Sequence, residues 1–372
     1  MNKNTRLLSK ISFFTDASSE IISAILPIYL TQGLGLGAHV VGIVEGVAIV
    51  ITEMIRSIAS YVQEGYRGRK IFVQIGYWLS AIFKLFYPLI NSSGSALIIH
   101  TLQRAGKGIR EGARDAIIAK TETTKLGEAF GYRKMMDNLG AVIGSLLALI
   151  LGYMFAGNYW AIFAIAALPS LLGASMTANI VDVKTVPKKV TIKRMGGKFF
   201  LFLVVCSIFA ISLFSHSFIV LLGADYGKPF EFFLVFNILY LIVSYHIGKG
   251  FDKDRYSVLL LPFVSMLLLG IAALFNNIIA AVFIVLFYAI GKGSIEVIPR
   301  AMLKGMGRAY TMEVGLIYSA IGMAQFLGTV ATGFLWNYFL IGARLPLLLP
   351  PIFALLAAIV WVAGQRLFKH HL

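Results

Sequence analysis

The 372-residue chain holds one cysteine, Cys206, set inside an apolar run. A single thiol excludes an intrachain disulfide and a cysteine-based zinc cluster. Charge is also scarce, at 13% of residues, against about 25% in an ordinary soluble domain. Acids are scarcest: 17 Asp and Glu face 33 Lys and Arg, for a net charge of +16. Such a surplus could serve a nucleic-acid partner, but here the basic residues are scattered between apolar runs without aromatics interleaved on a polar face, which excludes that class. No H-E-x-x-H, no G-x-S-x-G and no metal-spaced His/Cys set is present. Gly106 and Lys107 lack the upstream glycine and following Ser/Thr of a phosphate loop. No catalytic residue, no cofactor and no nucleotide-driven pumping are therefore expected. The basic N-terminus, MNKNTRLLSK, runs straight on without a small-residue cleavage site, so the first helix is expected to stay in the mature protein.

Apolar residue types make up 58% of the chain. No single core can hide that much, because a soluble fold needs a polar exterior, so the solvent is a bilayer. Helices of about 20 residues satisfy the backbone there, and the runs are too long and continuous for barrel strands. Cutting at charged, Gly-rich or Asn-rich punctuation gives twelve expected spans: 11–32, 39–62, 71–90, 95–119, 129–155, 160–180, 199–222, 230–249, 256–275, 279–303, 309–336 and 346–366. Lys and Arg then collect at the N-terminus, the even-numbered connections and the C-terminus, while the other connections hold only Lys228 and Arg344. The positive-inside rule puts both termini in the cytoplasm. The expected organisation is a six-helix bundle over 1–180, a basic cytoplasmic linker over 181–198 and a second bundle over 199–372.

The halves read as copies. Residues 11–16, ISFFTD, line up with 211–216, ISLFSH. Gly106, Lys107, Gly108 and Glu111 recur in spacing as Gly291, Lys292, Gly293 and Glu296, and GEAF at 127–130 recurs as GRAY at 307–310. Three matches in one order indicate duplication.

Ionisable groups at membrane depth cost about 2.5 to 3.5 kcal/mol even on a lenient scale, so each should face a partner or a watery cavity. Asp16 and Glu20 share a face of span one at i, i+4, where repulsion and desolvation suit a proton-coupling group. In span two, Glu53 pairs with Arg56 at i, i+3; Glu45 lies nearer the external end, as a gate residue or simply exposed. Span four carries the stripe Arg104, Lys107, Glu111 and Arg114/Asp115 at three- and four-residue steps, which must look inward. Arg104 and Lys107 are candidates to bind an anionic group, whereas Arg110, Arg114 and Asp115 suit salt bridges at the cytoplasmic mouth. In span five, Arg133 and Asp137 lead into Gly140 and Gly144, a face for close helix contact. Asp137 is a further proton-coupling candidate and Arg133 a further substrate-binding one. The second half offers His216, at the repeat position of Asp16, as a coupling group, and Tyr240, Tyr288, Lys292, Tyr318 and Gln325 to shape the rest of a substrate site.

These residues resemble the major facilitator superfamily, whose signature loop between helices two and three reads roughly G-x-x-x-D-R-x-G-R-K. Residues 60–70, SYVQEGYRGRK, keep Gly68, Arg69 and Lys70, with Glu64 as the acid. Gly248, Asp252 and Lys253 keep the spacing in the second half. The resemblance makes Glu64, Arg69, Asp252 and Lys253 gating charges. Arg104 to Gly108 is similar to the helix-four R-x-x-x-G pattern, and Gly140, Gly144 and Ser145 to the helix-five antiporter motif, with Ser145 where Pro is usual. SFFTDASSE, GKGIREGARDA and AFGYRKMMDNLGAVIG resemble a bacterial permease group whose substrates are unassigned. The resemblance implies twelve helices in two pseudo-symmetric bundles and a monomeric secondary transporter of the bacterial inner membrane. By this reading it couples protons to a small anionic, zwitterionic or amphiphilic solute and needs no bound metal. The alternatives are a multidrug-type efflux antiporter, a divalent-metal transporter using Asp16 and His216, and a membrane enzyme or channel.

Overall fold

The computed structural model describes residues 1–122, 125–183, 196–253, 255–305, 311–338 and 345–369. Among them there are thirteen α-helices and no strand. They are α1 (Lys3–Ile28), α2 (Ala38–Glu64), α3 (Lys70–Leu85), α4 (Ser93–Thr121), α5 (Leu126–Met154) and α6 (Tyr159–Met176), then α7 (Gly197–Ile211), α8 (Ser217–Ala224), α9 (Pro229–Lys253), α10 (Arg255–Ala273), α11 (Ile278–Gly305), α12 (Thr311–Tyr338) and α13 (Leu349–Lys369). The described residues of the expected segments are mostly helical, and nine spans among the described residues have the length and apolarity to cross a membrane.

The chain divides into two compact units. Unit 1 comprises Met1–Leu36 and Val47–Val190; unit 2 comprises Gly37–Gly46 and Thr191–Leu372. The first part of α2 thus packs with the second unit. There a Cβ on Gly42 would lie 3.1 Å from the Cα of Gly333 on α12, so both positions must stay small.

Unit 1 shows why the helices assemble with polar faces inward. Ile71, Ile75, Trp78, Ile82 and Leu85 line the exposed side of α3, while Val73, Gly76, Tyr77, Ser80, Ala81 and Lys84 are buried on the other. In lipid the outer face needs only hydrocarbon, and cohesion comes from close backbone approach and interhelical hydrogen bonds. Gly76 and Gly106 provide the approach of α3 to α4: a Cβ on Gly106 would sit 2.5 Å from the Gly76 carbonyl oxygen and from Ser80 Oγ. The expected small face of α5 packs on α1, where a Cβ on Gly140 would lie 2.5 Å from the Phe13 carbonyl oxygen. Leu8, Ile11, Val73, Tyr77, Ile117, Ile118 and Ala174 form an apolar cluster among these helices.

The seventh expected span, 199–222, is not one helix. It is broken at residues 212–216, between α7 and α8. Ser215 Oγ accepts the backbone N–H of Ser217 at 3.3 Å and so starts α8 afresh. The freed Phe214 carbonyl accepts from the Tyr288 hydroxyl and from Gln325 Nε2. Non-helical backbone survives at membrane depth only when protein groups take over its hydrogen bonds, as here.

Candidate functional site

The charges of span four are held inside unit 1 by a network that begins on α5. Arg133 on α5 is buried and donates to Asp137 at 2.8 Å, one turn further along. Its Nε also lies 3.7 Å from Asp115 on α4. Asp115 in turn pairs with Arg114 at 3.3 Å. Arg114 reaches across to α1 and donates to Ser12 Oγ at 2.9 Å, and Ser12 shares a 3.0 Å hydrogen bond with the Tyr77 hydroxyl of α3. Four helices are therefore joined by alternating charges and hydroxyls. Each buried charge meets an opposite charge or a polar partner, which is what burial demands.

A second set of pairs ties α2 to α4. Arg56 donates to Glu53 at 2.6 Å and also pairs with Glu111. Lys107 approaches Glu111 at 3.9 Å, with its side chain 36% exposed. Glu53 and Arg56 thus form the structural pair that their spacing indicates, extended to a third helix position on α4.

Arg110 departs from the expected salt bridge. Its guanidinium lies 4.4 Å over the Tyr77 ring and donates to Ser80 Oγ at 2.7 Å, with no ion pair among the described residues. A cation on an aromatic face needs no carboxylate neighbour.

Asp16 is partly buried on α1, within electrostatic range of Asp137 on α5 and of Lys107, Arg110 and Arg114 on α4. Asp137 gives one carboxylate oxygen to Arg133, while its Oδ1 is buried with no hydrogen-bond donor among the described residues. Two carboxyl groups thus interact inside a mostly cationic surround.

Lys84 belongs to this set and was missed. It is fully buried on α3 and donates from Nζ to the Thr15 carbonyl oxygen at 3.1 Å, to Ser18 Oγ at 3.0 Å and to Ser19 Oγ at 2.8 Å. The available signal was its own presence: an ionisable residue inside an apolar span is a functional hypothesis by default.

In unit 2 the candidates gather on the broken helix. Tyr288 stacks on Phe214 with centroids 4.3 Å apart while bonding the Phe214 carbonyl. His216 stacks on Phe236, and Phe236 neighbours both Tyr240 and Tyr288. The Tyr240 hydroxyl donates to the Glu296 carboxylate, and the Tyr318 hydroxyl donates to the Glu296 carbonyl oxygen at 3.0 Å. Lys292 donates to Gln325 Oε1 at 3.2 Å. Glu45 is buried, not exposed, and accepts from Ser217 at 2.8 Å, at the start of α8.

The sequence model of the Major Facilitator Superfamily matches residues 8–332 of this chain. The chain belongs to that superfamily. An uncharacterized MFS-type transporter of Methanocaldococcus jannaschii is 31% identical over 365 residues, covering 91% of this chain and 89% of the relative. The crystal structure of a point mutant of the nucleoside transporter NupG aligns with a TM-score of 0.80 at 11% identity, over 98% of this chain and 100% of that one. A POT family transporter in complex with a thioalcohol-conjugated peptide aligns at 0.79 and 14% identity, over 97% and 96% of the two chains. At such identities the likeness shows the superfamily fold and not the solute.

The superfamily loop after α2 is organised by an acid the sequence reading missed. Asp182, beyond α6, accepts the backbone N–H groups of Arg69 and Lys70 at 3.0 Å each, at the N-terminus of α3, where a helix favours negative charge. Gly68 is small for the same reason, since a Cβ there would lie 2.6 Å from Asp182 Oδ2. Arg69 is buried beside it. The expectations for Glu64, Asp252 and Lys253 concern side chains the structure does not describe, and most of the linker lies outside the described residues. Among the described residues no group of three or more His, Cys, Asp and Glu gathers to hold a metal ion.

Proposed function

We propose that this superfamily transporter couples protons to the movement of a small anionic or zwitterionic solute by alternating access. Two interacting carboxyls inside unit 1, Asp16 on α1 and Asp137 on α5, carry the reading. One of Asp137's oxygens is buried with no donor among the described residues. A carboxyl at membrane depth in the same unit as the α4 cations is a group through which a proton and a charged solute can be linked. Arg104 and Lys107, on the same stripe of α4, supply the cationic side of a solute site. Within unit 2, Tyr240, Tyr288, Tyr318, Lys292 and Gln325 remain separate candidates for solute binding, and His216 a candidate for coupling. The lysine and arginine distribution along the chain supports cytoplasmic termini.

The test has two stages. Thermal unfolding of the purified protein against a panel of amino acids, short dicarboxylates, nucleosides and dipeptides identifies a solute, since anything bound to the folded state raises apparent stability. Uptake of that solute into proteoliposomes is then measured with and without an imposed pH gradient. Concentrative uptake only with the gradient is the expected result; equal uptake in both conditions rejects proton coupling, and chemical turnover of the solute rejects transport.

A further inference from the structure

At the broken helix of unit 2 a backbone hydrogen bond has been exchanged rather than lost. In an unbroken helix the Phe214 carbonyl would accept the backbone N–H of Phe218, four residues on. Here that N–H turns to the Ser215 carbonyl oxygen at 3.0 Å, and the Ile219 N–H to the His216 carbonyl oxygen at 2.9 Å, so α8 begins on three-residue steps. The two lone pairs of the Phe214 oxygen are filled from other helices, by the Tyr288 hydroxyl of α11 and by Gln325 Nε2 of α12 at 3.4 Å.

The sequence of α12 suits this meeting. Gln325 and Gly328 share one of its faces at i, i+3, and a Cβ on Gly328 would lie 2.7 Å from the Leu213 carbonyl oxygen. Gln325 is itself buried, and its amide is held at both ends: Lys292 on α11 donates to Oε1 at 3.2 Å while Nε2 faces Phe214. The Phe214 carbonyl can only accept, so the NH2 of Gln325 must point toward it and the oxygen toward Lys292. Reversing the amide would set its oxygen against the Phe214 oxygen and its NH2 against the group that donates to it. The Lys292 contact and the Phe214 contact therefore stand or fall together.

We propose that Gln325 is a positioning residue for the break between α7 and α8, and that Lys292 acts on the break through it. While Lys292 holds the amide oxygen, Gln325 occupies the second lone pair of Phe214 and keeps Phe218 from it. Once Lys292 is engaged elsewhere the amide can turn, the lone pair opens, and the Phe218 N–H can return to it as a helical bond with Tyr288 still in place. The inference rests on the reading of Lys292 as a group that meets the solute, which makes the relay useful to the carrier: solute arriving at Lys292 alters a helix at membrane depth. The relay itself is measured without solute.

The experiment is hydrogen exchange of the purified protein in lipid nanodiscs, read by mass spectrometry on peptides covering 212–219, for Lys292→Met, Gln325→Leu and the double variant. Each single variant is expected to slow exchange in this segment by about fivefold, the factor that one hydrogen bond of ordinary net strength makes. The double variant is expected to match the singles, because residues acting in series do not add. Lys292→Arg, which keeps a donor for the amide oxygen, is expected to exchange as the wild type does. Faster exchange in the single variants would show that Gln325 only orders the segment, unchanged exchange that it does nothing there, and additive effects that Lys292 acts by another route; each overturns the proposal. If Gln325→Leu does not fold, Gln325→Glu takes its place, since it keeps the acceptor for Lys292, removes the donor to Phe214 and is read against the same outcomes. Should the carrier prove to take no solute at Lys292, the solute reading of that residue falls while a non-additive result leaves the relay standing; an additive result removes the relay alone.

Discussion

Residues 11–16 and 211–216 share the pattern I-S-x-F-[ST]-x and end in Asp16 and His216, yet the structure treats them in opposite ways. In unit 1 the hexapeptide stays helical: Thr15 Oγ1 bonds back to the Ile11 carbonyl at 2.9 Å, and Ser12 turns outward to Tyr77 and Arg114. In unit 2 the helix opens and a new one starts at Ser217, whose backbone N–H donates to Ser215 Oγ. The difference lies in what neighbouring helices offer. Unit 1 presents cations and a phenol to side-chain oxygens, so the backbone keeps its own bonds; unit 2 presents Tyr288 and Gln325 to a backbone carbonyl, so the helix can open. The two matching segments thus divide between a unit that gathers charge and one that ties opened backbone to a ring hydroxyl and an amide.

Breaking each unit at its characteristic element sharpens the comparison. Arg133→Ala is expected to have the largest effect, since it leaves the largely buried Asp137 without its 2.8 Å partner; losing one partner of a buried ion pair costs about 3 to 5 kcal/mol. Thermal unfolding in detergent reads it, and a loss no greater than that of Lys292→Ala in unit 2 would show that the charged network is not what distinguishes unit 1. Gly328→Val on α12 pushes into the broken helix, where even a Cβ would lie 2.7 Å from the Leu213 carbonyl oxygen. Overpacking of this kind costs about 1 to 3 kcal/mol, and hydrogen exchange should rise at residues 212–216 before the rest of unit 2. Tyr288→Phe removes one donor from the Phe214 carbonyl and is expected to cost about 1 to 2 kcal/mol, visible as a lowered melting temperature. The smallest effect belongs to Lys125→Ala, which breaks an exposed pair with Glu128. It should stay under about 1 kcal/mol, and a larger drop would mean that surface ion pairs contribute as much as the buried network.

Features with a period were legible in the sequence, and features completed by a distant partner were not. The stripe from Arg104 to Asp115 announces itself by three- and four-residue steps, and Glu53 with Arg56 by i, i+3. Gly140 and Gly144 foretell a tight contact without naming α1 as the helix they meet. Lys84 has no charged neighbour along its helix, because its cradle is built from α1, and a lone charge in an apolar run gives no pattern to read. The break at 212–216 is hidden for the same reason: serines in an apolar stretch are compatible with helix until Tyr288 and Gln325 are placed beside it. Glu45 stood open between gate and exposed residue because its partner, Ser217, is 172 positions away. Arg110 carried a salt-bridge expectation from its charge, and only the position of the Tyr77 ring on α3 replaces it.

The central claim is that coupling resides in the charges of unit 1 rather than in the histidine of unit 2. Concentrative uptake under an imposed pH gradient, compared between Asp16→Asn and His216→Gln in proteoliposomes, addresses it most directly. The account expects Asp16→Asn to lose accumulation while still exchanging solute downhill, and His216→Gln to go on accumulating. Accumulation that survives Asp16→Asn and vanishes with His216→Gln would contradict it.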